Sequence, residues 1–500
     1  MIKNNMKITM LLITLMLLST GCSIVGPDYK KDKEQKLPAT WNTKLTKSDV
    51  NITQWWKLFD DEVLNTLVQK TYEQNLDLRS AGLRILQARA SLGISEGLHF
   101  PQVQTLSGSL AGVRRSGDTF TSAGVNFDVG WEMDVWGKYA RGIESSEASL
   151  YASVASYDDI LVSVIAEVAR NYINFRTAQQ RAAFAKRNIE IQTRVTRMTE
   201  VQFNAGNVTE LDMQQARTQL YTTQSLLPSF QLAQIQSRNA IAVLLGALPQ
   251  DVDKILRAKE VNEDSFIPTV LLKDDFQIAA DIVRRRPDLQ VAELQARAQN
   301  ARIGISKAEL YPSFTLFGSL GYNTNNTSNN WVSVGDAVGI SAGPAFSWNI
   351  FAYERIKNQV RVQDALFQES LTNYNKKVLL AVQEVSNALN GYKLTKEQLG
   401  LNEKAIRATT RAYELSITQY DNGLVTYQRL LSTVENLTRN EDNYAQIKGS
   451  IAIEVISLYK ALGGGWEINK DKIYLNETDK KVLKDRGVDW GDYLELTDDK

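Results

Sequence analysis

The residue types that usually carry enzymatic chemistry are scarce in this sequence of 500 residues. Residues 93–97 read Gly-Ile-Ser-Glu-Gly, which matches the G-x-S-x-G pattern of a nucleophilic serine at a strand-to-helix turn. Here the pattern lies inside a helical segment, and its counterpart at 304–308 lacks the final glycine. The single histidine, His99, has Leu310 as its counterpart, so the serine and histidine are not a repeated pair. We therefore expect no catalytic residues.

The composition also argues against metal and cofactor sites. One His and one Cys leave few of the side chains on which zinc, copper and nucleophile sites draw. The Gly-Gly-Gly run at 463–465 lacks the preceding strand and the following Lys-Ser/Thr of a phosphate loop, so it is predicted to end a helix. Lys plus Arg and Asp plus Glu number 57 each, and this balance does not indicate a nucleic acid partner. We expect no metal, no cofactor and no nucleic acid.

The single cysteine directly follows a predicted N-terminal export signal. An apolar run at 8–18 follows two lysines; it is too short to span a bilayer but typical of a secretory signal. The sequence Leu-Ser-Thr-Gly-Cys at 18–22 is typical of a bacterial lipoprotein processing site, which predicts removal of residues 1–21 and acylation of Cys22. Ser23 follows, rather than the Asp that retains many lipoproteins at the inner membrane. We therefore expect a lipid-anchored protein at the outer membrane of a Gram-negative bacterium, extending into the periplasm; a plain signal peptide or a structural thiol is the alternative.

The remaining chain contains two copies of one pattern. Asp77-Leu78 and Pro101 recur as Asp288-Leu289 and Pro312 at an offset of 211, and Gly206 recurs as Gly423 at an offset of 217. This repetition predicts a lipid-anchored N-terminal segment, a first repeat, a linker, a second repeat and a charged C-terminal tail, at 22–60, 61–250, 251–274, 275–466 and 467–500. The tail is poor in apolar periodicity, so we expect it to be surface-bound or disordered.

Each repeat has the same order of elements. A helical segment, at 76–99 or 288–310, leads to a proline and then to two ribbons of alternating polarity, which indicate strands. Polar links at 114–121 and 323–330 are expected between the paired strands. Long proline-free segments follow, with apolar positions stepping by four and three as in a coiled coil. A helix over 138–202 would be about 98 Å long at 1.5 Å per residue.

The strand at 122–137 has apolar residues at odd positions and polar, acidic or glycine residues at even positions. Four such ribbons indicate a membrane β-barrel with lipid outside and water inside, so Asn126, Asp128 and Glu132 are predicted to line the lumen, together with Asp134. The alternative is a soluble sandwich with its apolar face inward. Four strands cannot close a barrel, and two, three or four copies would give 8, 12 or 16 strands.

Several longer motifs resemble a single family. Gly-Pro-Asp-Tyr at 26–29, Asp-Val-Trp-Gly-Lys at 134–138, Arg-Pro-Asp-Leu at 286–289 and Leu-Tyr-Lys-Ala-Leu-Gly-Gly-Gly-Trp at 458–466 match recurring segments of the TolC-like outer membrane efflux channels, in particular the lipoprotein subgroup of the NodT/OprM type. The similarity covers nearly all of 22–466. It implies an α+β membrane protein: a homotrimer with a 12-stranded β-barrel, four strands per chain, continued by a long α-helical barrel, with an internal two-fold repeat.

The resemblance also implies a role for a repeated glycine turn. Residues 202–209 and 419–426 place a glycine among polar residues between long helices, as helix-to-helix turns do. In the family such turns form the periplasmic tip, where an adaptor's helical hairpin docks and the tunnel narrows. The implied docking residues are Asn204, Ala205, Gly206, Asn207, Asp421, Asn422, Gly423 and Leu424.

The tip also contains candidate gate residues. Relatives often close the tip with an aspartate at the position that Ser432 occupies here, so the gate must use other charges. Asp212, Arg429 and Glu435 are the candidates, and solvated surface charge is the alternative interpretation.

The resemblance implies a passive exit duct for drugs or other small molecules. Its expected partners are two further copies of the chain, a periplasmic adaptor (membrane fusion) protein, an inner-membrane resistance-nodulation-division (RND) transporter and outer membrane lipid. Two alternatives stay open: an outer membrane duct for type I protein secretion, and a periplasm-spanning structural lipoprotein that does not conduct.

Overall fold

The structure is a computed structural model that describes residues 24–30, 52–115, 117–257, 267–272, 284–326, 331–469 and 473–494. The predicted signal peptide, Cys22 and parts of the 251–274 linker lie outside the described residues. The strands are β1 (Val103–Arg115), β2 (Asp118–Met133), β3 (Ser313–Asn325) and β4 (Val338–Ser347). The helices are α1 (Glu62–Gln74), α2 (Leu76–Gly97), α3 (Lys138–Asn204), α4 (Glu210–Leu244), α5 (Pro249–Leu256), α6 (Pro287–Ala308), α7 (Val334–Ala337), α8 (Arg355–Asp421), α9 (Tyr427–Ala461) and α10 (Glu477–Asp485). Short 3-10 helices lie at Trp55–Phe59, Trp466–Ile468 and Gly491–Leu494.

Matching elements of the two predicted repeats have equal lengths. Helices α3 and α8 have 67 residues each, α4 and α9 have 35 each, and α2 and α6 have 22 each. The helices predicted at 76–99, 288–310 and 138–202 are confirmed to within two residues at each end. None of the helices in the described ranges combines the length and the apolarity that crossing a bilayer requires.

The chain forms two compact units, each assembled from three stretches. The first unit contains the described residues of the stretches Met1–Gln35, Arg84–Val154 and Gln290–Lys376. The second contains the described residues of the stretches Lys36–Leu83, Ala155–Leu289 and Lys377–Lys500. Each unit therefore takes residues from both predicted repeats.

The first unit contains one antiparallel sheet in the order β1-β2-β3-β4. The register pairs Asn126 with Ser107 of β1 and with Gly321 of β3, and it pairs Gly321 with Gly339 of β4. Because directly opposed residues point to the same side of a sheet, the alternation of all four strands is in phase. One continuous face is polar and the other is apolar.

The predicted polar link at 114–121 is wrong. Strand β1 continues to Arg115, β2 begins at Asp118, and the pairing runs without a break to the pair formed by these two residues. Gly117 has a φ of +96°, which a glycine adopts readily, so the connection between the strands is short. Polar side chains near the hairpin resembled a loop, but strand pairing uses backbone groups, which do not depend on side-chain polarity.

The segment at 24–30 is fixed onto the first unit. The backbone N–H of Val25 donates to the carbonyl oxygen of Trp136 at 3.0 Å. The carboxylate of Asp28 forms an ion pair with the largely buried guanidinium of Arg141 at 2.7 Å. This part of the Gly-Pro-Asp-Tyr motif therefore holds the chain that directly follows Cys22.

The second unit is built around buried aromatic and aliphatic side chains. Trp55 stacks on Tyr459 with ring centroids 5.8 Å apart, and Leu64 and Leu67 are fully buried. Arg286, from the Arg-Pro-Asp-Leu motif, pairs with Asp288 at 2.9 Å and donates to the carbonyl oxygen of Ala461 at 2.9 Å. It thereby satisfies a carbonyl group at the end of α9, which would otherwise lack a partner.

The C-terminal tail is not disordered in its described part. Residues 473–494 include α10, and Leu475 and Leu494 are buried. Asp479 accepts two hydrogen bonds from the guanidinium of Arg79 on α2. Of the two predicted alternatives, surface-bound or disordered, the described part of the tail fits the first, and it is anchored by a few isolated contacts rather than by a continuous apolar stripe.

Gly82 on α2 tests how this tail is held. A Cβ atom at Gly82 would lie 1.9 Å from the carbonyl oxygen of Tyr474, so Gly82→Ala must displace the tail backbone. We expect thermal unfolding in detergent to show a loss of about 1–3 kcal/mol, together with faster proteolysis within 473–494. Gly97→Ala, on the same helix and with nothing within 4 Å, is the matched control and should change neither. Equal effects of the two substitutions would contradict the close packing.

Candidate channel face and helix-tip site

The structure brings the three predicted lumen residues to one face of the sheet. Asn126 accepts a hydrogen bond from the amide of Asn323 at 2.8 Å, and Asp128 accepts one from the hydroxyl of Ser319 at 2.6 Å. Glu132 lies near the C-terminal end of β2 and accepts a hydrogen bond from the hydroxyl of Tyr139 at 3.1 Å. Asn126 and Asp128 therefore bond to side chains of the neighbouring strand β3, whereas Glu132 bonds to a side chain of α3.

The opposite face is apolar and exposed. Leu110, Ile340 and Phe346 keep 76%, 78% and 73% of their surface accessible. Exposed apolar area of this extent marks a surface that meets another protein or a membrane. The remaining apolar-face residues with large exposed side chains are Leu106, Val125, Phe127, Leu316, Leu320 and Val338.

Asp134, which is also predicted to line the lumen, lies just beyond the sheet and binds the start of a helix. Its two carboxylate oxygens accept from the backbone N–H groups of Tyr139 and Ala140, at 3.1 and 2.8 Å. Strand β2 ends at Met133, so Asp134 lies beyond the sheet. It caps the start of α3, where the first backbone N–H groups of a helix lack partners.

The first tip turn joins α3 to α4. Gly206 has a φ of +79°, and its N–H donates to the carbonyl oxygen of Phe203 at 2.9 Å. The next N–H, of Asn207, donates to the carbonyl oxygen of Gln202 at 2.9 Å, which completes a glycine-ended helix terminus. Thr209 then begins α4 through a reciprocal capping box with Asp212.

The second tip turn, from α8 to α9, repeats this geometry. Gly423 has a φ of +69° and its N–H donates to the carbonyl oxygen of Tyr420 at 3.0 Å, while Leu424 donates to that of Gln419 at 2.8 Å. Thr426 begins α9 without a side-chain cap. All eight predicted docking residues are exposed in the two turns.

One hydrophobic cluster contains residues from all four helices that the two turns connect. It joins Val195 of α3, Ala216 of α4, Tyr420 of α8 and residues of α9 that include Leu430 and Val434. The cluster therefore fixes the turns relative to one another, while their own side chains stay in solvent.

Two tyrosines at the tip were missed in the sequence. Tyr420 and Tyr427 lie edge to face with ring centroids 6.2 Å apart, and the hydroxyl of Tyr420 is 3.4 Å from that of Thr199. Burial raises the pKa of both phenols, and the neighbouring Asp212 raises it further. A signal was present, because the tyrosines lie three residues before and four residues after Gly423 and so border the turn.

The three candidate gate residues differ in how they are bonded, although Asp212 and Glu435 both lie close enough to Tyr427 to raise its pKa. Asp212 has its carboxylate in the capping box, where it accepts from the N–H and hydroxyl of Thr209 at 3.0 and 2.8 Å. Arg429 is at the equivalent position of the second copy, 217 residues later, and is exposed without an ion pair in the described part of the chain. Glu435 is exposed further along α9.

Known proteins share this sequence and this fold. A family model described as outer membrane efflux protein matches residues 67–247 and 279–464. Nodulation protein T of Rhizobium leguminosarum bv. trifolii is 28% identical over 457 residues, which cover 90% of this chain and 96% of that protein. The cation efflux system protein CusC of Escherichia coli O157:H7 is 26% identical over 462 residues, which cover 90% of this chain and 96% of that protein.

A solved structure of the outer-membrane channel OprN has the same fold. It is 30% identical in sequence with a TM-score of 0.79, and the match covers 89% of this chain and 99% of OprN. The predicted α+β fold class and the predicted outer membrane location are confirmed by these matches. With most of its length matched by the family model and by whole relatives, the chain belongs to the outer membrane efflux protein family.

Proposed function

We propose that this chain forms the outer membrane exit channel of a tripartite efflux pump, through which drugs or other small molecules leave the periplasm passively. The two-faced sheet supports this proposal most directly, because one face suits hydrocarbon and the other suits water. Helices α3 and α8 follow β2 and β4 directly and have 67 residues each. At 1.5 Å per residue such a helix is about 100 Å long, enough to reach far into a periplasm.

Closure of the sheet requires further copies of the chain. Among the described residues, strands β1 and β4 have a partner on one side only, so each leaves a row of backbone N–H and C=O groups unpaired. In hydrocarbon these groups have no water to bind, and each would cost several kcal/mol. We propose that three copies supply the 12 strands of a closed barrel, whose lumen is lined by Asn126, Asp128 and Glu132.

The relatives do not indicate one transported compound. Proteins named for nodulation and for cation efflux are 28% and 26% identical to this chain, over nearly the same length. A shared conduit with different cargo explains this similarity, if the inner-membrane RND transporter selects the compound and a periplasmic adaptor joins it to this channel. The predicted lipid anchor at Cys22 favours this function over a type I protein secretion duct.

Asp128 tests whether the polar face of the sheet lines the pore. In planar bilayers we expect the purified protein to conduct, and Asp128→Asn to lower its preference for cations over anions, because one carboxylate per copy is removed from the lumen. Glu477→Gln, an exposed carboxylate of the second unit, is the control and should leave the reversal potential unchanged. A protein that never conducts, even with its tip charges replaced, would instead support the structural lipoprotein.

We further propose that the two tip turns are the docking surface for the adaptor. Residues 204–207 and 421–424 are exposed, they share one backbone geometry, and the cluster around Tyr420 holds them rigidly. A repeated turn of this kind offers two similar sites per copy, which suits a partner that presents a repeated helical hairpin. Leu424 is 74% exposed and is the largest apolar side chain among the eight docking residues.

Leu424→Asp is expected to weaken adaptor binding and to abolish efflux. The substitution removes an exposed apolar contact without touching the core behind the turn, so trimer formation and conductance in bilayers should be retained. Drug susceptibility of cells that rely on this channel, with co-purification of the adaptor, provides the measurement. Val488→Asp, at an exposed apolar position of the C-terminal segment, is the control. Unchanged drug resistance with Leu424→Asp would exclude this turn as the docking site.

Arg429 is the candidate gate residue that the tip geometry supports best. Asp212 is engaged by its own capping box, whereas the guanidinium of Arg429 is exposed and has no ion pair in the described ranges. We propose that Arg429 charges the narrow end of the duct, with Asp212 and Glu435 as further contributors.

We propose that Cys22 carries the lipid anchor. The residues that directly follow it are held by Val25 and Asp28 on the first unit, which contains the sheet. Acyl chains at Cys22 would then enter the same membrane that surrounds the apolar face of the strands. Each buried CH₂ group adds about 0.8 kcal/mol to such an anchor.

A further inference from the structure

The two hairpins of the sheet repeat one side-chain contact. The indole N–H of Trp131 donates to the carbonyl oxygen of His99 at 3.2 Å, and that of Trp348 donates to the carbonyl oxygen of Leu310 at 3.0 Å. The two tryptophans are 217 residues apart, and the two acceptors are 211 residues apart. At this end of the sheet, residues related by the repeat offsets of the sequence therefore make the same side-chain contact.

A second contact occurs only once in the described chain. The ring of Trp136, just after β2, stacks on the ring of Tyr311, just before β3, with centroids 4.6 Å apart and an interplanar angle of 24°. Its indole N–H also donates to the carbonyl oxygen of Pro312 at 2.8 Å. This contact joins the first hairpin to the second.

The same offsets identify the two residues that would form an equivalent stack in the other repeat. Trp136 corresponds to Tyr353, 217 residues later, and Tyr311 corresponds to Phe100, 211 residues earlier. Tyr353 follows β4 and Phe100 precedes β1, which are the two edge strands. Three inter-strand spacings, roughly 14 Å, separate these strands within one copy. Both rings are open to solvent, with 92% and 65% of their surfaces accessible.

The backbone at Tyr353 gives a second reason to expect a partner. Tyr353 and Glu354 have φ values of +44° and +61°, a left-handed conformation that is unfavourable for residues other than glycine. The first copy has Gly137, with a φ of +75°, at the position equivalent to Glu354. Such conformations persist where surrounding contacts enforce them. The carboxylate of Glu354 is held by Lys357 at 2.7 Å, whereas the ring of Tyr353 projects into solvent.

We propose that Tyr353 of one copy stacks on Phe100 of the next copy and closes the seam between β4 and β1. The proposal rests on the closed channel proposed above and specifies how its copies meet. The register between β2 and β3 can be transferred to the seam. The offset of 217 moves residues of β2 to β4, and the offset of 210 between the starts of β1 and β3 moves residues of β3 to β1. The transferred register pairs Ser347 with Ser107 and Phe346 with Gly108. In this register the two serines share the polar face, and Phe346 and Gly108 share the apolar face.

Cysteine crosslinking tests this contact. The double variant Phe100→Cys/Tyr353→Cys, treated in membranes with a short bismaleimide, is expected to give covalent dimers and trimers in denaturing gels. Each single variant should give none. The control Trp136→Cys/Tyr311→Cys should be crosslinked within one chain, so that its mass stays that of a monomer while peptide mapping detects the bridge.

The outcomes separate the seam from the channel itself. If the double variant forms trimers that show no intermolecular crosslink while the control reacts, the proposed seam is wrong and the channel stands. If the unmodified protein forms no oligomer in membranes, the proposed channel fails as well. Heat resistance of the trimer in mild detergent gives a second test: Tyr353→Ala should lower it, and Tyr353→Phe should preserve it. Equal heat resistance of Tyr353→Ala and the unmodified protein would overturn the contact.

Discussion

The unpaired backbone groups along β1 and β4 constrain the rest of this structure. A sheet with an apolar outer face belongs in hydrocarbon, yet in hydrocarbon an unpaired N–H or C=O group has no partner other than protein. The part of one chain that the structure describes supplies four strands, and their register leaves both edges open. The sheet can therefore satisfy its own backbone only in an assembly of several copies, and the assembly in turn creates an enclosed polar surface. The assembly that pairs the backbone groups of the edge strands therefore also forms the polar interior through which solutes can pass.

The two repeats of the sequence share one set of contacts and differ at a few positions. Helix lengths, left-handed turn positions and indole hydrogen bonds all recur between the copies. Where the copies differ, the difference falls at places with distinct tasks: Asp212 closes a capping box, while its equivalent Arg429 is exposed. A ring built from such chains has twice as many similar helix pairs as it has copies, which suits both a wide duct and a repeated docking surface.

Periodicity in the sequence was sufficient to predict most of this fold. Alternation over two residues identified the strands, steps of three and four identified the long helices, and Gly206 and Gly423 located the turns. The errors arose where local polarity and backbone geometry conflict. Arg114 and residues 118–121 are mostly polar yet belong to paired strands, and the anchoring of the charged tail by Arg79 had no signal in the local sequence. The tyrosines at the tip were missed because their burial depends on contacts among four helices, which no single stretch of sequence contains.

Adjacent residues of β2 are expected to meet different solvents, and the accessibility of two neighbouring positions to lipid and to water can be measured. Val125 and Asn126 lie on opposite faces of the same strand. Spin labels attached at Val125→Cys and Asn126→Cys in the assembled, membrane-embedded protein can be probed with a lipid-soluble and a water-soluble relaxation agent. We expect the label at 125 to collide with the lipid-soluble agent and the label at 126 with the water-soluble agent. The reverse pattern, or equal accessibility to water at both positions, would show that the sheet does not separate lipid from a water-filled lumen.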